Sequence, residues 1–396
     1  MQYVRLGVSN LKVSRLALGA MGIGHPSWRE WVLDEGGCRP IVKRALDLGI
    51  NFVDTCDYYS DGQSELVLGR LLDGFVKRDE IVLATKVGNP MGKGPNARGY
   101  SRKHLFEAVD ASLKRLGTDY IDLYQTHIWD PSTNLEEMIE AFDALVASGR
   151  VLYLGITDMP AWQFAKAYFH QKLRGLARFV AVQNHYNPIW REDERELMPL
   201  CREEGIALIP YSPMARGYLC GPQRRAGASE TARWRSDDYA HKIYGRPSDD
   251  AVAQAVGEIA QARGCEPGQV ALAWTLSRPG ITAPIFGATR VEHVDTAVQA
   301  LEMRLEAAEI ANIDAAYAPR PAPKGSISRS AIVSGASTST EWRRRGRITR
   351  REPLMRSCII RAMRVLEPTS FSPVATRVGW RISPRRSPRS LVENTV

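Results

Sequence analysis

With 396 residues and 44% hydrophobic content the chain can bury a large core, so one α/β barrel or two smaller domains are both open to it; the sequence has no apolar window of about 18 residues or more that could span a bilayer. Six scattered cysteines, none in a C-x-x-C pair, argue against a disulfide framework or a zinc site, and the N-terminus lacks a basic-then-apolar leader pattern; a reducing, cytoplasmic setting is expected. The net charge of +9 belongs to one end: residues 325–396 hold 15 arginines, no lysine and 4 glutamates, which leaves 38 basic against 40 acidic residues in 1–324.

Residues 2–14 predict a hairpin, with two short apolar runs flanking Gly7 and the Ser9-Asn10 turn. Arg15 to Gly19 reads as a first buried strand and runs into a glycine-rich stretch, Gly19 to Gly24. Its order is G-x-x-G-x-G rather than G-x-G-x-x-G, and Pro26 follows, so it fails as a dinucleotide fingerprint. From there helix and strand alternate. Helices are expected over 41–48, 64–72, 102–116, 135–148, 161–171, 193–204, 252–263, 270–277 and 291–303. Strands are expected over 51–55, 81–87, 120–127, 151–157, 179–184, 206–211 and 283–287. With the first strand this makes eight, short and apolar on both faces, as buried parallel strands are. Eight such units in about 290 residues suit a closed (β/α)8 TIM barrel better than a doubly wound sheet.

One more amphipathic helix is expected over 305–317, and Pro319, Pro321 and Pro323 end the pattern. The expected division is a barrel domain over 1–322 and a low-complexity basic segment over 323–396. The latter, with EWRRRGRITRRE at 341–352, reads as a disordered, solvated Arg-rich tail. A nucleic-acid-binding arm and an aberrant reading frame are the lesser readings.

Four residues at strand ends belong together. Asp54 closes the second strand, and Tyr59 follows in a loop. Lys86 sits near the end of IVLATK, where a buried ammonium requires an anion, and Asp54 on the adjacent strand can supply it. His127 ends DLYQTH. Barrel strand ends converge on one mouth. A carbonyl reduced by hydride needs a proton at its oxygen. A phenol ordinarily titrates near about 10, and Lys86 is expected to lower that value for Tyr59. Asp54 would hold Lys86, and His127 would orient the carbonyl. Singly, each residue has a plainer reading: Tyr59 as packing, Lys86–Asp54 as a structural ion pair, His127 as a satisfied strand-end histidine, and Trp129 as core or pocket wall. Together, on successive strands, they are far more specific.

On these residues the chain resembles the aldo-keto reductase superfamily. DTCDYYSDGQSE, IVLATK and DLYQTH are similar to the motifs that carry its Asp, Tyr, Lys and His tetrad, here Asp54, Tyr59, Lys86 and His127. The resemblance spans about residues 2–322 and includes a hairpin that plugs the barrel bottom. HIWD, QNHYN and PYSPMARGYL place it near the bacterial branch of aryl-alcohol-dehydrogenase-like reductases, some labelled 1-deoxyxylulose-5-phosphate synthase-like.

The resemblance implies a reversible carbonyl reductase using NADPH/NADP+. It implies cofactor contacts at Gly19, Met21, Asp54, Thr157 and Gln183. Asp158 departs from the usual Ser/Asn or Ser/Ser pair that meets the carboxamide. Tyr211 would stack on the nicotinamide. Ser212, Pro213, Met214, Ala215, Arg216 and Gly217 would let a pyrophosphate approach, which small residues and backbone amides favour. Gly287, Thr289 and Arg290, before a helix, suit the adenosine 2′-phosphate and so NADPH over NADH. His293 stands where Arg or Gln is frequent, and Thr296-Ala297 replaces a frequent Glu-Asn pair. Arg233 is a candidate cofactor clamp. Tyr59, His127 and Trp129 would meet the substrate, a small carbonyl compound or alcohol; no metal, membrane or nucleic-acid partner is expected. Two alternatives stand beside this reading. One is a phosphorylated sugar or isoprenoid precursor as substrate, held by Lys93, Arg98 and Arg216. The other is a nicotinamide-sensing regulatory subunit, like the potassium channel β subunits. Loops 24–37, 88–100 and 221–250, with Trp28, Tyr58, Trp129 and Trp190, would shape the pocket.

Overall fold

A computed structural model describes residues 1–222 and 230–320. The expectations for 323–396 lie outside the described residues. Strands β1 (Tyr3–Arg5) and β2 (Lys12–Ser14) form the antiparallel hairpin. The chain then runs β3 (Ala17–Gly19), α1 (Glu35–Asp47), β4 (Phe52–Asp54), α2 (Gln63–Phe75), β5 (Val82–Val87), α3 (Arg102–Leu116), β6 (Ile121–Thr126), α4 (Leu135–Ala147), β7 (Val151–Thr157), α5 (Ala161–Arg174), β8 (Phe179–Gln183), α6 (Leu197–Glu203) and β9 (Ala207–Leu208). It continues through α7 (Ala232–Ser236), α8 (Asp238–Ile243), α9 (Pro247–Arg263), α10 (Pro267–Ser277), β10 (Ile285–Gly287), α11 (Val291–Gln299) and α12 (Ala307–Ala316).

The eight strands β3 to β10 are parallel, in the order β10-β3-β4-β5-β6-β7-β8-β9. Bridges Leu208–Ile281 and Tyr211–Ile285, with the Ile285 N–H donating to Pro210 O at 2.8 Å, close the last strands into a barrel. Every residue of β5 and β6 is buried, because helices cover the outside and side chains fill the inside. Leu6 and Val13 join Ala17, Phe52, Leu123 and Ala207 in the interior core. Gly7, at φ +59°, sits against the starts of β8 and β9; a Cβ there would lie 2.7 Å from Val180 O and 2.8 Å from Ala207 N. The hairpin therefore seals the end of the barrel where the strands begin, and leaves the end holding Asp54 and His127 open.

The departures from expectation have local causes. Helix α1 starts at Glu35 rather than 41, although Gly36, Gly37 and Pro40 are poor helix formers. Asp34 accepts the Gly37 N–H at 2.9 Å as an N-cap, and burial of Cys38, Ile41, Val42 and Ala45 outweighs propensity. Strand β9 shrinks to two residues, with its pairing carried further by the bridges of Tyr211 to His185 and Ile285. Helices α7 and α8 were not expected; Thr231 and Asp237 cap them through the Trp234 and Ala240 N–H groups. Among the described residues no helix is long and apolar enough to cross a membrane.

Candidate active site

Strand register assembles the centre of the site. Gly19 pairs with Asp54, Asp54 with Ala84, Lys86 with Gln125, and Gln125 with Gly155. Lys86, on β5, is fully buried, and its ammonium donates to an Asp54 carboxylate oxygen and to Thr55 O at 2.9 Å. Its third neighbour is the Tyr59 hydroxyl at 3.4 Å. Burial pulls the Lys86 pKa down, but the Asp54 charge, with Tyr59 and Cys56 behind it, outweighs this and raises it above the usual lysine value. The lysine is thus a fixed cation.

The second Asp54 oxygen accepts from Gln125 Nε2 at 3.0 Å and Gln183 Nε2 at 2.9 Å. Gln125 was not singled out from sequence. The signal lay in DLYQTH, where period-2 alternation puts Gln125 on the same face as His127. Gly155 makes room for it: a Cβ there would sit 2.9 Å from Gln125 Cγ. The carboxylate that holds Lys86 is therefore held by two amides, and both its oxygens accept hydrogen bonds.

Tyr59 projects from a tight turn in which Ser60 and Asp61 adopt φ +53°. Ser60 Oγ accepts the His25 N–H at 2.8 Å, which ties this turn to the loop after β3. Sequence reasoning expected Lys86 to lower the Tyr59 pKa. The net shift is the reverse: burial pushes the phenol up to about 12, with Lys86 acting downward but not prevailing. Lys86 is already neutralised by Asp54, so its pull on the phenol is partly cancelled. Tyr59 keeps its proton at neutral pH.

His127 follows β6, its ring edge-on to Tyr59 at 5.6 Å. Its Nδ1 lies 2.7 Å from Asn89 Nδ2 and 2.9 Å from Cys56 Sγ. An amide nitrogen only donates, so Nδ1 accepts and the ring proton is on Nε2. Burial, then the Lys86 charge, push the His127 pKa down to about 3, so the ring is neutral at pH 7. It is a donor without charge.

Next to Cys56, Asp57 is 1% exposed and one carboxylate oxygen, Oδ2, has no hydrogen-bond partner. Burial, then the nearby Glu65, raise its pKa to about 7. Because the folded value lies above the unfolded one, the native state binds more protons between about pH 4 and 7, and stability falls as pH rises through that window. Asp57→Asn is expected to raise stability at pH 8 by about 1 to 4 kcal/mol, and to lose that advantage below about pH 4. Urea melts of both proteins across this range test it; equal midpoints at pH 8 would contradict the burial argument.

Asp54, Tyr59 and His127 open into a cavity of about 810 Å³, with Lys86 buried behind them. It is lined by Asp54, Tyr59 and His127 at one end and by the start of α11 at the other. Of the cofactor candidates, Gly19, Met21, Thr157, Asp158, Gln183, Tyr211, Ser212, Pro213, Met214, Arg216, Gly217, Gly287, Thr289, Arg290 and His293 all line it. Ala215 does not: at φ +49° it turns its methyl into the main core cluster. Trp129 does not either; it packs on that same cluster, and Ile128 lines the cavity in its place. Trp190 stacks behind His185 at 4.7 Å, and His185 in turn backs the Tyr211 ring at 5.2 Å. Lys93 and Arg98 are exposed and outside the lining, whereas Arg216 is within it.

Three buried polar atoms of cavity-lining residues lack protein partners: Trp31 Nε1, Thr157 Oγ1 and Arg216 Nε. Such atoms fit a polar ligand. Asp237 is shared by Arg216 at 2.6 Å and Arg233 at 3.5 Å, so two cations face one anion. Arg233 also lies 4.5 Å from the Trp31 ring across the cavity rim. At the far end Arg290 contacts His293 Nε2 at 3.1 Å at the N-terminus of α11, where unpaired N–H groups attract anions. A dinucleotide with its phosphates toward these groups fits the residues present. The sequence reading overlooked Trp31, Asn89 and Tyr239 as wall residues; the first two come from loops, where no periodicity marks an inward face, and Tyr239 comes from α8, a short helix the sequence did not predict.

A barrel whose open end joins a shielded phenol to a long, cation-rimmed cavity is that of a carbonyl oxidoreductase. Comparison with known proteins agrees: the aldo/keto reductase family profile matches residues 15–318, and the chain belongs to that family. It is 39% identical to a versiconal hemiacetal acetate reductase of Aspergillus parasiticus, over 81% of this chain and 98% of that protein. Putative aryl-alcohol dehydrogenases of Schizosaccharomyces pombe and Saccharomyces cerevisiae are 36% and 33% identical, over 81% and 80% of this chain and 96% and 97% of their own lengths. These relatives are fungal, and lend the expected bacterial placement no support.

Proposed function

We propose that residues 1–322 form an NADPH-dependent reductase of aldehydes or ketones, near the aryl-alcohol-dehydrogenase-like members of the family, and that Asp54, Tyr59, Lys86 and His127 carry its proton transfer. The observation behind this is the Lys86–Asp54 pair lying directly beneath the Tyr59 hydroxyl. When bound, the nicotinamide supplies hydride to the carbonyl carbon. His127 donates from Nε2 to the carbonyl oxygen and orients it. Tyr59 gives its proton to that oxygen as negative charge develops there. Lys86 stabilises the resulting phenolate, and Asp54, clamped by Gln125 and Gln183, keeps Lys86 in place. The Gln183 amide nitrogen is committed to Asp54, so only its oxygen is left to accept from a carboxamide.

The face of Tyr211 away from His185 supplies a flat apolar wall for the nicotinamide. Arg216 and Arg233 would hold the pyrophosphate. Arg290 would hold the 2′-phosphate, which is the basis for NADPH over NADH. Among phosphorylated substrates, only Arg216 of the three candidate cations is within reach of the cavity, which disfavours that reading. The neutral, properly oriented His127 favours turnover over a purely sensory role.

A panel of aromatic and aliphatic carbonyls followed by nicotinamide absorbance tests the assignment, with Arg290→Ala run in parallel. Wild-type protein is expected to oxidise NADPH with at least one substrate class. The variant is expected to lose about tenfold in NADPH affinity, roughly 1.4 kcal/mol, with little change toward NADH. A protein that binds NADPH yet reduces nothing in the panel would favour the sensor.

A further inference from the structure

Asp158 is a carboxylate on the cavity wall with no ion-pair partner among the described residues. It follows β7 at φ +49°, a left-handed conformation that Asp and Asn tolerate. Its N–H donates to Asn184 Oδ1 at 3.1 Å, and the Tyr211 hydroxyl donates to its two oxygens at 3.3 and 3.0 Å. The carboxylate is therefore pinned at the edge of the Tyr211 ring. That ring is rigid in turn, backed by His185 and Trp190. A flat ligand stacked on the open face of Tyr211 lies beside a carboxylate that no arginine or lysine pairs with directly among the described residues.

Resting on the proposed reading of this cavity, we propose that Asp158 is the counter-charge to the oxidised, positively charged nicotinamide ring, so that this enzyme discriminates in favour of NADP+ over NADPH at that position. The reduced ring is neutral and gains nothing from the carboxylate, whereas the oxidised ring is a cation. Charge attraction at such range in a partly desolvated site is strong enough to shift affinity by an order of magnitude. The same interaction draws the bound oxidation–reduction equilibrium toward the oxidised cofactor and the alcohol, which favours the carbonyl-reducing step and slows NADP+ release relative to an enzyme with a neutral side chain here.

The carboxylate also titrates in an accessible range. Although the Asp158 side chain is open to the cavity, the crowding of the surrounding walls, then Asp193 on the far side of Asn184, raise it, while Tyr211, the His185 N–H and Lys86 act downward; the balance is a value of about 7. Tyr239 also faces it and stays neutral, its own pKa raised by the crowding of its neighbours and then by Asp158 itself. By reciprocity, a ligand cation that prefers the ionised carboxylate must drive its proton off on binding.

Isothermal titration of the full chain with NADP+ and with NADPH, for wild type and Asp158→Asn, tests this without turnover. At pH 8 the variant is expected to bind NADP+ about tenfold more weakly while its NADPH affinity changes less than twofold. In wild type the preference is expected to fade as pH falls below 7. NADP+ binding near pH 7, compared across buffers of different ionisation enthalpy, is expected to release protons, and NADPH binding to release fewer. Retained NADPH binding certifies that the variant is folded, and the wild-type pH series needs no substitution. Equal weakening for both nucleotides would reduce Asp158 to a support for Tyr211 and overturn the proposal, as would an unchanged ratio. Failure of wild type to bind either nucleotide would instead bring down the cofactor reading itself.

Discussion

Tyr59→Phe is expected to lower kcat by about a thousandfold, within the 10²–10⁴ range that a positioned proton donor contributes, while the Kd for NADPH stays within a factor of about two. The reason is geometric. The hydroxyl touches only Lys86 Nζ at 3.4 Å among the polar groups of the tetrad, so its removal leaves the Lys86–Asp54 pair and the two glutamine amides intact. The phenyl ring keeps its edge contact with His127 and its tilted contact with Trp28. No buried group other than Lys86 loses a partner, and that lysine retains Asp54 and Thr55. The loss is thus confined to the proton. Burial holds the phenol near about 12 in the free site, so its proton is present throughout the physiological range. Stopped-flow turnover with fluorescence titration of NADPH separates the two quantities. Turnover equal to wild type would remove Tyr59 from the mechanism.

Asp54→Ala is expected to be the most destabilising change in the site, by about 3–5 kcal/mol, because it leaves a fully buried ammonium without its anion. Gln125 and Gln183 lose their shared acceptor at the same time. With Asp54 gone, the desolvation that its charge outweighs is left largely unopposed, and the Lys86 pKa is expected to fall below the unfolded value. The native state then binds fewer protons than the unfolded one, so the variant's stability should rise with pH between the folded and unfolded lysine values. Denaturant melts at pH 7 and 9.5 check the slope. Adding Lys86→Met to Asp54→Ala should restore much of the loss, since the uncompensated charge, rather than the missing carboxylate, is what costs. A double variant no more stable than the single one would contradict this.

The second prediction begins with residues that strand patterning made visible, and the first with a tyrosine in the loop just beyond them. Lys86 in a run of apolar residues, one strand away from Asp54, has few interpretations, and the tetrad spacing could be read without coordinates. Gln125 was equally present in DLYQTH, yet an amide on an inward face has no charge to demand a partner, so nothing marked it as the clamp on Asp54. Trp129 illustrates the opposite error. It follows His127 closely in sequence, but past the strand end alternation no longer holds, and the chain turns Ile128 rather than Trp129 to the cavity. Asn89 was invisible for the same reason: it belongs to the loop after β5 and meets His127 only across the barrel mouth.

The alternation of the eight strands with their main helices, the hairpin that seals one end and the candidacy of the four tetrad residues were legible from local pattern, because period-2 and period-3.6 burial and the cost of an unpaired charge are properties of short segments. The direction of the Tyr59 shift, the tautomer of His127 and the isolation of Asp158 were decided by the tertiary structure. Each depends on which dipoles and charges from distant segments lie within a few ångströms, and electrostatic balance at that range is set by three-dimensional neighbours, not by neighbours along the chain.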